Sequence, residues 1–148
     1  MLNSVTVKFS SSLGDEIVAL RREDTRNRGT RGWQSNPYTS QPFSWFEEVY
    51  HSVEQQIGAI DSFWFNVNTT GQSTGWHSHS RYCTVAVLYV TVPSGDIEFR
   101  QGEAYWSETP KSGDLLVFPG SLEHRVLANT STDCRISVAF NVSPVRVV

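Results

Sequence analysis

The stretch that decides the fold is Gly113-Asp114-Leu115-Leu116-Val117-Phe118-Pro119, which continues through Gly120 to His124. A short apolar run bounded by Gly-Asp and Pro-Gly is typical of a buried strand. The Pro-Gly turn then places His124 near the start of the next strand, where a jelly roll returns the chain beside an earlier one. The stretch therefore predicts a β-protein with a histidine at a strand end.

The surrounding sequence supports many short strands. Alternation or β-branched and aromatic runs predict them at 3–9, 63–68, 84–92, 97–99, 125–127 and 135–142. Gly95-Asp96 precedes Ile97 as a hairpin turn would. The fold class predicted is mainly β, a double-stranded β-helix (jelly roll), with one N-terminal α-helix packed outside the barrel.

The predicted helix begins near Ser44, which forms a capping box with Glu47, and ends at Gly58. Its apolar face recurs at steps of three and four, through Phe46, Val49, Tyr50, Val53, Ile57 and Ile60. Before it come a short apolar segment, 17–20, and a long surface connection, 24–42. We expect one domain over 1–148, with 1–60 as the N-terminal strand, arginine-rich loop and helix and 61–148 as the β-helix core.

Bulk properties exclude several classes of protein. The net charge of −3 and pI near 5.8 argue against a nucleic-acid binder. No signal peptide or membrane span is evident, so we expect a cytoplasmic protein with no membrane partner, and self-association stays open. Cys83 and Cys134 are expected to be buried, reduced thiols rather than a disulfide framework.

An arginine-rich loop, 21–31, holds Arg21, Arg22, Arg26, Arg28 and Arg31. It is either a solvated loop or a rim that receives an acidic group, since arginine forks bind carboxylates and phosphates bidentately. The sequence leaves its role open.

Three of the four histidines indicate a metal site. His77 and His79 are one residue apart, so their side chains leave an extended strand on one face, and His124 supplies a third ligand from a separate strand. Three neutral imidazoles suit Fe(II), Zn(II), Cu or Ni. His51 lies among polar residues of the predicted helix and is expected to be an exposed histidine.

The last strand places Arg135 and Ser137 together on the face opposite Ile136 and Val138. A guanidinium beside a hydroxyl suits a carboxylate ligand, although a salt bridge at a strand end would explain Arg135 equally well. Asn66, Asn68 and Tyr89 lie at inward-facing strand positions, where either a ligand contact or a core hydrogen bond would fit. Trp76 and Tyr82 are candidates for a substrate mouth.

Taken together, these motifs resemble the 2-oxoglutarate and Fe(II)-dependent oxygenases of bacteria and tailed phages. The similarity is carried by 62–68, His77-Ser78-His79, 87–90, 113–119, Leu122-Glu123-His124 and 135–141, with Gly32-Trp33-Gln34-Ser35 ahead of the helix. It implies a hydroxylase-like dioxygenase with Fe(II) on His77, His79 and His124 and no catalytic residue beyond these metal ligands. It also implies 2-oxoglutarate held by Arg135 and Ser137. Apart from the resemblance, their places in the sequence make Asn66 and Tyr89 candidates for further cosubstrate contacts and Asn68, Trp76 and Tyr82 candidates for substrate contacts. The substrate would be a small molecule or a protein side chain.

One departure separates this chain from the wider superfamily, which uses His-x-Asp or His-x-Glu with a distal histidine. His79 stands at the carboxylate position, so the literal site is three histidines. The same motifs resemble a cupin that lacks the glutamate after the first histidine pair. A cupin-type metalloenzyme and a non-catalytic metal- or ligand-binding jelly roll are therefore the alternatives.

Overall fold

The computed structural model describes residues 3–25, 31–80 and 83–143. Its elements in chain order are β1 Asn3–Thr6, α1 Leu13–Glu23, β2 Trp33–Gln34, a 3-10 turn Ser44–Phe46, α2 Glu47–Ile57, β3 Ile60–Asn68, β4 Thr74–His77, β5 Thr84–Thr91, β6 Ile97–Gln101, β7 Ala104–Glu108, β8 Asp114–Pro119, β9 Glu123–Val126 and β10 Arg135–Val142. None of the helices in these ranges has the length and apolar character needed to cross a bilayer.

The strands form two antiparallel sheets that face each other. The six-stranded sheet has the order β1-β8-β5-β10-β3-β2, and the four-stranded sheet has the order β4-β9-β6-β7. This arrangement is the predicted double-stranded β-helix, and the return of β9 beside β4 is confirmed by the pairing of His77 with His124. The site lies between the sheets.

The buried apolar residues of the described ranges form two cores. The larger one lies between the helices and the outer face of the six-stranded sheet, where Phe46 packs with its ring centroid 5.3 Å from that of Phe63. The smaller one lies between the sheets and includes Phe99 and Phe118. Burial of these faces follows from the period-2 alternation of β3 and β10, whose residues 63, 65, 67 and 136, 138, 140 and 142 all belong to the larger core.

Several local expectations were wrong. The described part of the chain has two α-helices rather than one, because 17–20 belongs to α1, which buries Leu13 and Ile17. The Ser44–Glu47 capping box does not form, since the 3-10 turn comes first and neither helical segment has a side-chain cap at its start. Gly58 does end α2, with a φ of 100° that favours glycine.

The strand boundaries also differ from those predicted. Gly95-Asp96 is not a hairpin turn, because β5 and β6 belong to different sheets and the chain crosses between them there. The hairpin instead joins β6 to β7, a strand the sequence did not indicate. β1 ends at Thr6, and the connection 24–42 contains β2 and a bridge between Tyr38 and Phe63.

The arginine-rich loop is divided between elements. Arg21 and Arg22 lie in the last turn of α1, where positive charge suits the helix dipole, and Arg31 is exposed. Arg26 and Arg28 lie outside the described residues. Cys83 and Cys134 are free, as predicted, but half-buried rather than buried.

Candidate metal centre and anion site

Three histidines converge at one end of the space between the sheets. One ring nitrogen from each of His77, His79 and His124 lies within 4.8 Å of the other two. His77 is the last residue of β4, His79 follows it in the next connection, and His124 is on β9. Such a cluster of imidazole nitrogens can surround a single ion.

The backbone fixes which nitrogen two of these rings present. His77 Nδ1 is 2.8 Å from the Gly75 carbonyl oxygen, and His124 Nδ1 is 2.9 Å from the Leu122 carbonyl oxygen. A carbonyl only accepts, so each Nδ1 carries the proton and donates it. Each Nε2 therefore keeps its lone pair, and the carbonyls orient the rings as outer-sphere partners of metal ligands commonly do.

Burial keeps two of the three imidazoles uncharged in the absence of metal. It lowers the pKa of His79 to about 4, with a further contribution from nearby His77. Burial likewise lowers the pKa of His124 to about 4, and repulsion from His77 and His79 adds to it. Both imidazoles are thus neutral near pH 7, the form that binds metal.

The loop that carries His79 is held by Gly120. The His79 amide donates to the Gly120 carbonyl at 2.7 Å, and the Gly120 amide donates to the Cys83 carbonyl at 2.9 Å. A Cβ at position 120 would lie 2.1 Å from the Ser80 carbonyl oxygen. Only glycine allows this close approach, so the Pro119-Gly120 turn serves the metal site as well as the fold.

Arg135 lies at the other end of the same cavity. It is 3% exposed, and its Nε donates to the Gly95 carbonyl oxygen at 3.1 Å. Its Nη2 is buried and makes no well-aligned hydrogen bond within the described ranges, although the Tyr89 hydroxyl lies near the guanidinium. Burial lowers the pKa of this guanidinium, but an arginine stays protonated in proteins. Burying a charge without a carboxylate partner is costly, which points to an anionic ligand.

The cavity between these two ends has about 530 Å³ of space, including its open mouth. All four predicted cosubstrate residues line it, namely Asn66, Tyr89, Arg135 and Ser137, as does Asn68. The Asn66 Oδ1 and Tyr89 hydroxyl are buried without a hydrogen-bond partner in the part of the chain described. Burial raises the pKa of Tyr89 to about 12, so it is a neutral donor. The roles assigned to these residues stay predictions.

The charge that lines the cavity is of one sign, positive. Among the described residues that line it, the only charged side chain is Arg135, and none is acidic. Two neutral imidazoles, a cation and several unpaired polar atoms make a site that suits a metal ion and an organic anion together.

Other predicted residues lie elsewhere. Trp76 does not line the cavity, because it points away from its neighbour His77 on β4, and its ring lies 4.3 Å from the Arg100 guanidinium and 4.7 Å from that of Arg125. Its substrate contact stays a prediction. Tyr82 lies outside the described residues, and His51 is exposed on α2 as expected.

The lining residues that sequence reasoning did not single out include Gln34, Trp64 and Thr74. Trp64 lies beside the metal ligands, with its ring centroid 5.6 Å from that of His79. It alternates with Phe63 and Phe65 on β3, so the same period-2 pattern that marked Asn66 and Asn68 as inward-facing could have identified it.

Comparison with known proteins bears on this site directly. Residues 98–141 match the sequence profile of a family described as "Putative 2OG-Fe(II) oxygenase". The resemblance to that family is confirmed. The matched segment contains His124, Arg135 and Ser137, and His77 and His79 lie before it. A search of the curated proteins finds no match.

Two solved structures share the fold, a prolyl-4-hydroxylase and a protein with 2-oxoglutarate bound. A Pseudomonas putida prolyl-4-hydroxylase has a TM-score of 0.74 at 15% identity, over 97% of this chain and 92% of that one. HygX from Streptomyces hygroscopicus, with nickel and 2-oxoglutarate bound, has a TM-score of 0.68 at 14% identity, over 97% of this chain and 82% of HygX. These likenesses establish the fold.

Proposed function

We propose that the protein is an Fe(II)- and 2-oxoglutarate-dependent oxygenase of the hydroxylase type. The observation that carries the proposal is the buried Nη2 of Arg135, unpartnered among the described residues, at the opposite end of one cavity from His77, His79 and His124. Arg135 and Ala139 both line the cavity and, four residues apart on β10, are separated by roughly 13 Å at ~3.3 Å per residue. That span, less the reach of the side chains, suits a short dicarboxylate.

The residues present fit both groups. His77, His79 and His124 would hold the metal through their free ring nitrogens, and Arg135 would hold the distal carboxylate with the Ser137 hydroxyl nearby. Bound iron would supply the oxygen activation that converts 2-oxoglutarate to succinate and carbon dioxide while one oxygen atom passes to the substrate.

The chain itself orients the binding groups and excludes water from the cavity. Val85, Val87 and Ile97 give the cavity an apolar lining, which limits the water that can compete there. The Tyr89 ring lies 5.4 Å from the Arg135 guanidinium, which keeps the cation against an aromatic face. The fixed Nδ1 donors of His77 and His124 hold the rings ready, so less ordering is needed when the metal binds.

The three-histidine ligand set is also compatible with a non-catalytic protein. A neutral ligand in place of a carboxylate leaves one more positive charge on the complex, which changes its redox potential. A jelly roll that binds metal and keto acid without turnover would have the same cavity. The substrate, a small molecule or a protein side chain, is not identified by the residues that line it.

Anaerobic titration of the protein with Fe(II) and then 2-oxoglutarate tests the proposal. We expect a visible charge-transfer band that forms only with both present, and succinate on admitting oxygen with substrate candidates. Binding without succinate would support the non-catalytic alternative. Metal binding with no affinity for 2-oxoglutarate would support a cupin-type enzyme and overturn the proposal.

A further inference from the structure

Asn129 is a buried polar side chain near the anion end of the cavity, and all of its hydrogen-bonding positions are used. It lies between β9 and β10 and is 0% exposed. Its Nδ2 donates to the Asn68 and Asp133 carbonyl oxygens at 3.0 and 2.8 Å. Its Oδ1 accepts from the Ser94 hydroxyl and the Ser131 amide, both at 2.9 Å. Both donors and both acceptor positions of the amide are therefore used.

The side-chain bonds reach three segments, two of which are distant from Asn129 in sequence. They reach the end of β3 at Asn68, the β5–β6 crossing at Ser94, and the loop before β10 at Asp133. The Asn129 backbone adds the β3–β4 turn, because its carbonyl accepts from Gly71 at 2.7 Å and its amide donates to Gln72 at 3.1 Å. Side-chain and backbone bonds of one buried residue thus connect the loops around one end of the cavity.

Two of these bonds lead directly to Arg135. Asp133 is two residues before Arg135, so the bond to its carbonyl fixes where β10 begins. Ser94 is next to Gly95, whose carbonyl accepts from Arg135 Nε. Gly95 packs closely against Arg135, since a Cβ at position 95 would lie 3.1 Å from both Cδ and Nε of Arg135. Asn129 thus holds both the backbone of Arg135 and the acceptor that orients its side chain.

We propose that Asn129 is a positioning residue for the distal carboxylate of the keto acid, acting through Arg135. The inference rests on the proposed function and deepens it. The positioning role of Asn129 differs from a purely structural role in the ligands that it affects. A structural residue affects every ligand of the cavity, whereas a residue that acts through Arg135 affects only ligands with a distal carboxylate.

The test compares two keto acids. 2-Oxopentanoate has the metal-binding head of 2-oxoglutarate but a methyl group in place of the distal carboxylate. Anaerobic titrations of the Fe(II)-loaded protein give the affinity of each, and their ratio measures the discrimination. Asn129→Asp replaces both N–H donors by oxygen with almost no change of shape. We expect the affinity for 2-oxoglutarate to fall about tenfold or more, and that for 2-oxopentanoate to stay within about twofold.

Two further variants make the result specific. Asn141→Asp is the matched control, because Asn141 is also on β10 but its amide is bonded to Ser62 at 3.4 Å and does not line the cavity. It should leave the discrimination unchanged. Ser94→Ala removes one bond to Asn129 and should reduce the discrimination about fivefold, the effect of one neutral hydrogen bond. If Asn129→Asp does not fold, Ser94→Ala tests whether Asn129 positions Arg135.

The outcomes separate the two proposals. In an Arg135→Ala background, Asn129→Asp should have no further effect on the discrimination. Equal discrimination in wild type, Asn129→Asp and Ser94→Ala, or equal loss of both keto acids, would overturn the role of Asn129 alone. If wild type binds neither keto acid, the proposed function fails and this inference fails with it.

Discussion

His77 and His124 are direct partners across the β4–β9 pair, and their ring centroids are 4.1 Å apart. Paired strands hold their side chains at fixed separation, so this half of the metal site is built into the sheet itself. His79 differs, because it lies beyond the end of β4 and depends on a loop for its position. The three ligands should therefore respond differently to changes around them.

Metal binding should require all three clustered histidines. His77→Ala, His79→Ala and His124→Ala should each lose metal after dialysis against dilute Fe(II) or Zn(II), since the remaining two imidazoles leave the ion undercoordinated. Metal content per protein, by elemental analysis, is the measurement. His51→Ala is the matched control and should retain wild-type content, because His51 is on α2 and exposed. Full retention in His79→Ala would mean that another group is the third ligand.

The features that could be predicted from the sequence are those set by local periodicity. Alternation on β10 placed Arg135 and Ser137 on one face and Ile136 and Val138 on the other, and the structure has them so. Spacing likewise brought His77 and His79 together, and the Pro-Gly turn identified His124 as the third member. These signals act over a few residues and need no knowledge of the fold.

The features that could not be predicted depend on long-range pairing. Gly95-Asp96 has the composition of a hairpin turn, but β5 already pairs with β8 and β10, so β6 joins the other sheet. Asn129 shows the same limit, because its partners Asn68 and Ser94 are 61 and 35 residues away in sequence. An asparagine in a polar loop gives no local sign that it will be completely buried.

Acid should destabilise the metal-free protein between about pH 6.5 and pH 4. The pKa of His79 and His124 is about 4 in the folded chain, against ~6.5 for histidine in an unfolded one. In that window the unfolded state binds protons that the folded state does not, so the free energy of unfolding decreases as pH falls. Protonation at His124, which is buried, should lower the free energy of unfolding by on the order of 2 to 3 kcal/mol across this window. His79 is less buried and should lower it by a smaller amount.

Urea denaturation in the presence of a chelator, at pH 7, 6 and 5, measures this effect. His124→Gln removes one of the two shifted groups, so its stability should depend less steeply on pH than that of wild type. His51→Gln is the control and should follow the wild-type curve. A wild-type stability that is constant from pH 7 to pH 5 would contradict the low pKa values.

Gly120→Ala should weaken metal binding through the His79 loop. The new Cβ would lie 2.1 Å from the Ser80 carbonyl oxygen and 2.7 Å from Cys83 Sγ, so the backbone that bonds His79 must move. We expect about tenfold or more loss of metal affinity, the usual effect of disturbing the partners that orient a ligand, and a stability loss of roughly 1 to 3 kcal/mol. Competition with a chromogenic chelator gives the affinity.

Gly75→Ala is the matched control for this change. A Cβ at position 75 would meet no atom within 4 Å, although Gly75 is also next to the metal site through its carbonyl. Its metal affinity should be close to that of wild type. Equal affinities in the two variants would show that the Gly120 contact does not position His79.

Arg135 should matter for keto acid binding and not for stability. Arg135→Met replaces a buried cation that has no carboxylate partner in the described ranges with an apolar chain of similar length, so the metal-free variant should unfold at the same or a higher urea concentration. The same change should leave Fe(II) affinity nearly intact. It should weaken 2-oxoglutarate binding by roughly 30-fold or more, because losing a charge-assisted contact to a buried carboxylate costs on the order of 2 to 5 kcal/mol.

Arg125→Met is the control, since Arg125 is bonded to Glu98 and stacks on Trp76 away from the cavity. Calorimetric titration of each Fe(II)-loaded protein with 2-oxoglutarate under anaerobic conditions measures the affinities. Equal tight binding in wild type and Arg135→Met would remove Arg135 from the site, and the unpaired guanidinium would then no longer be a reason to propose an oxygenase.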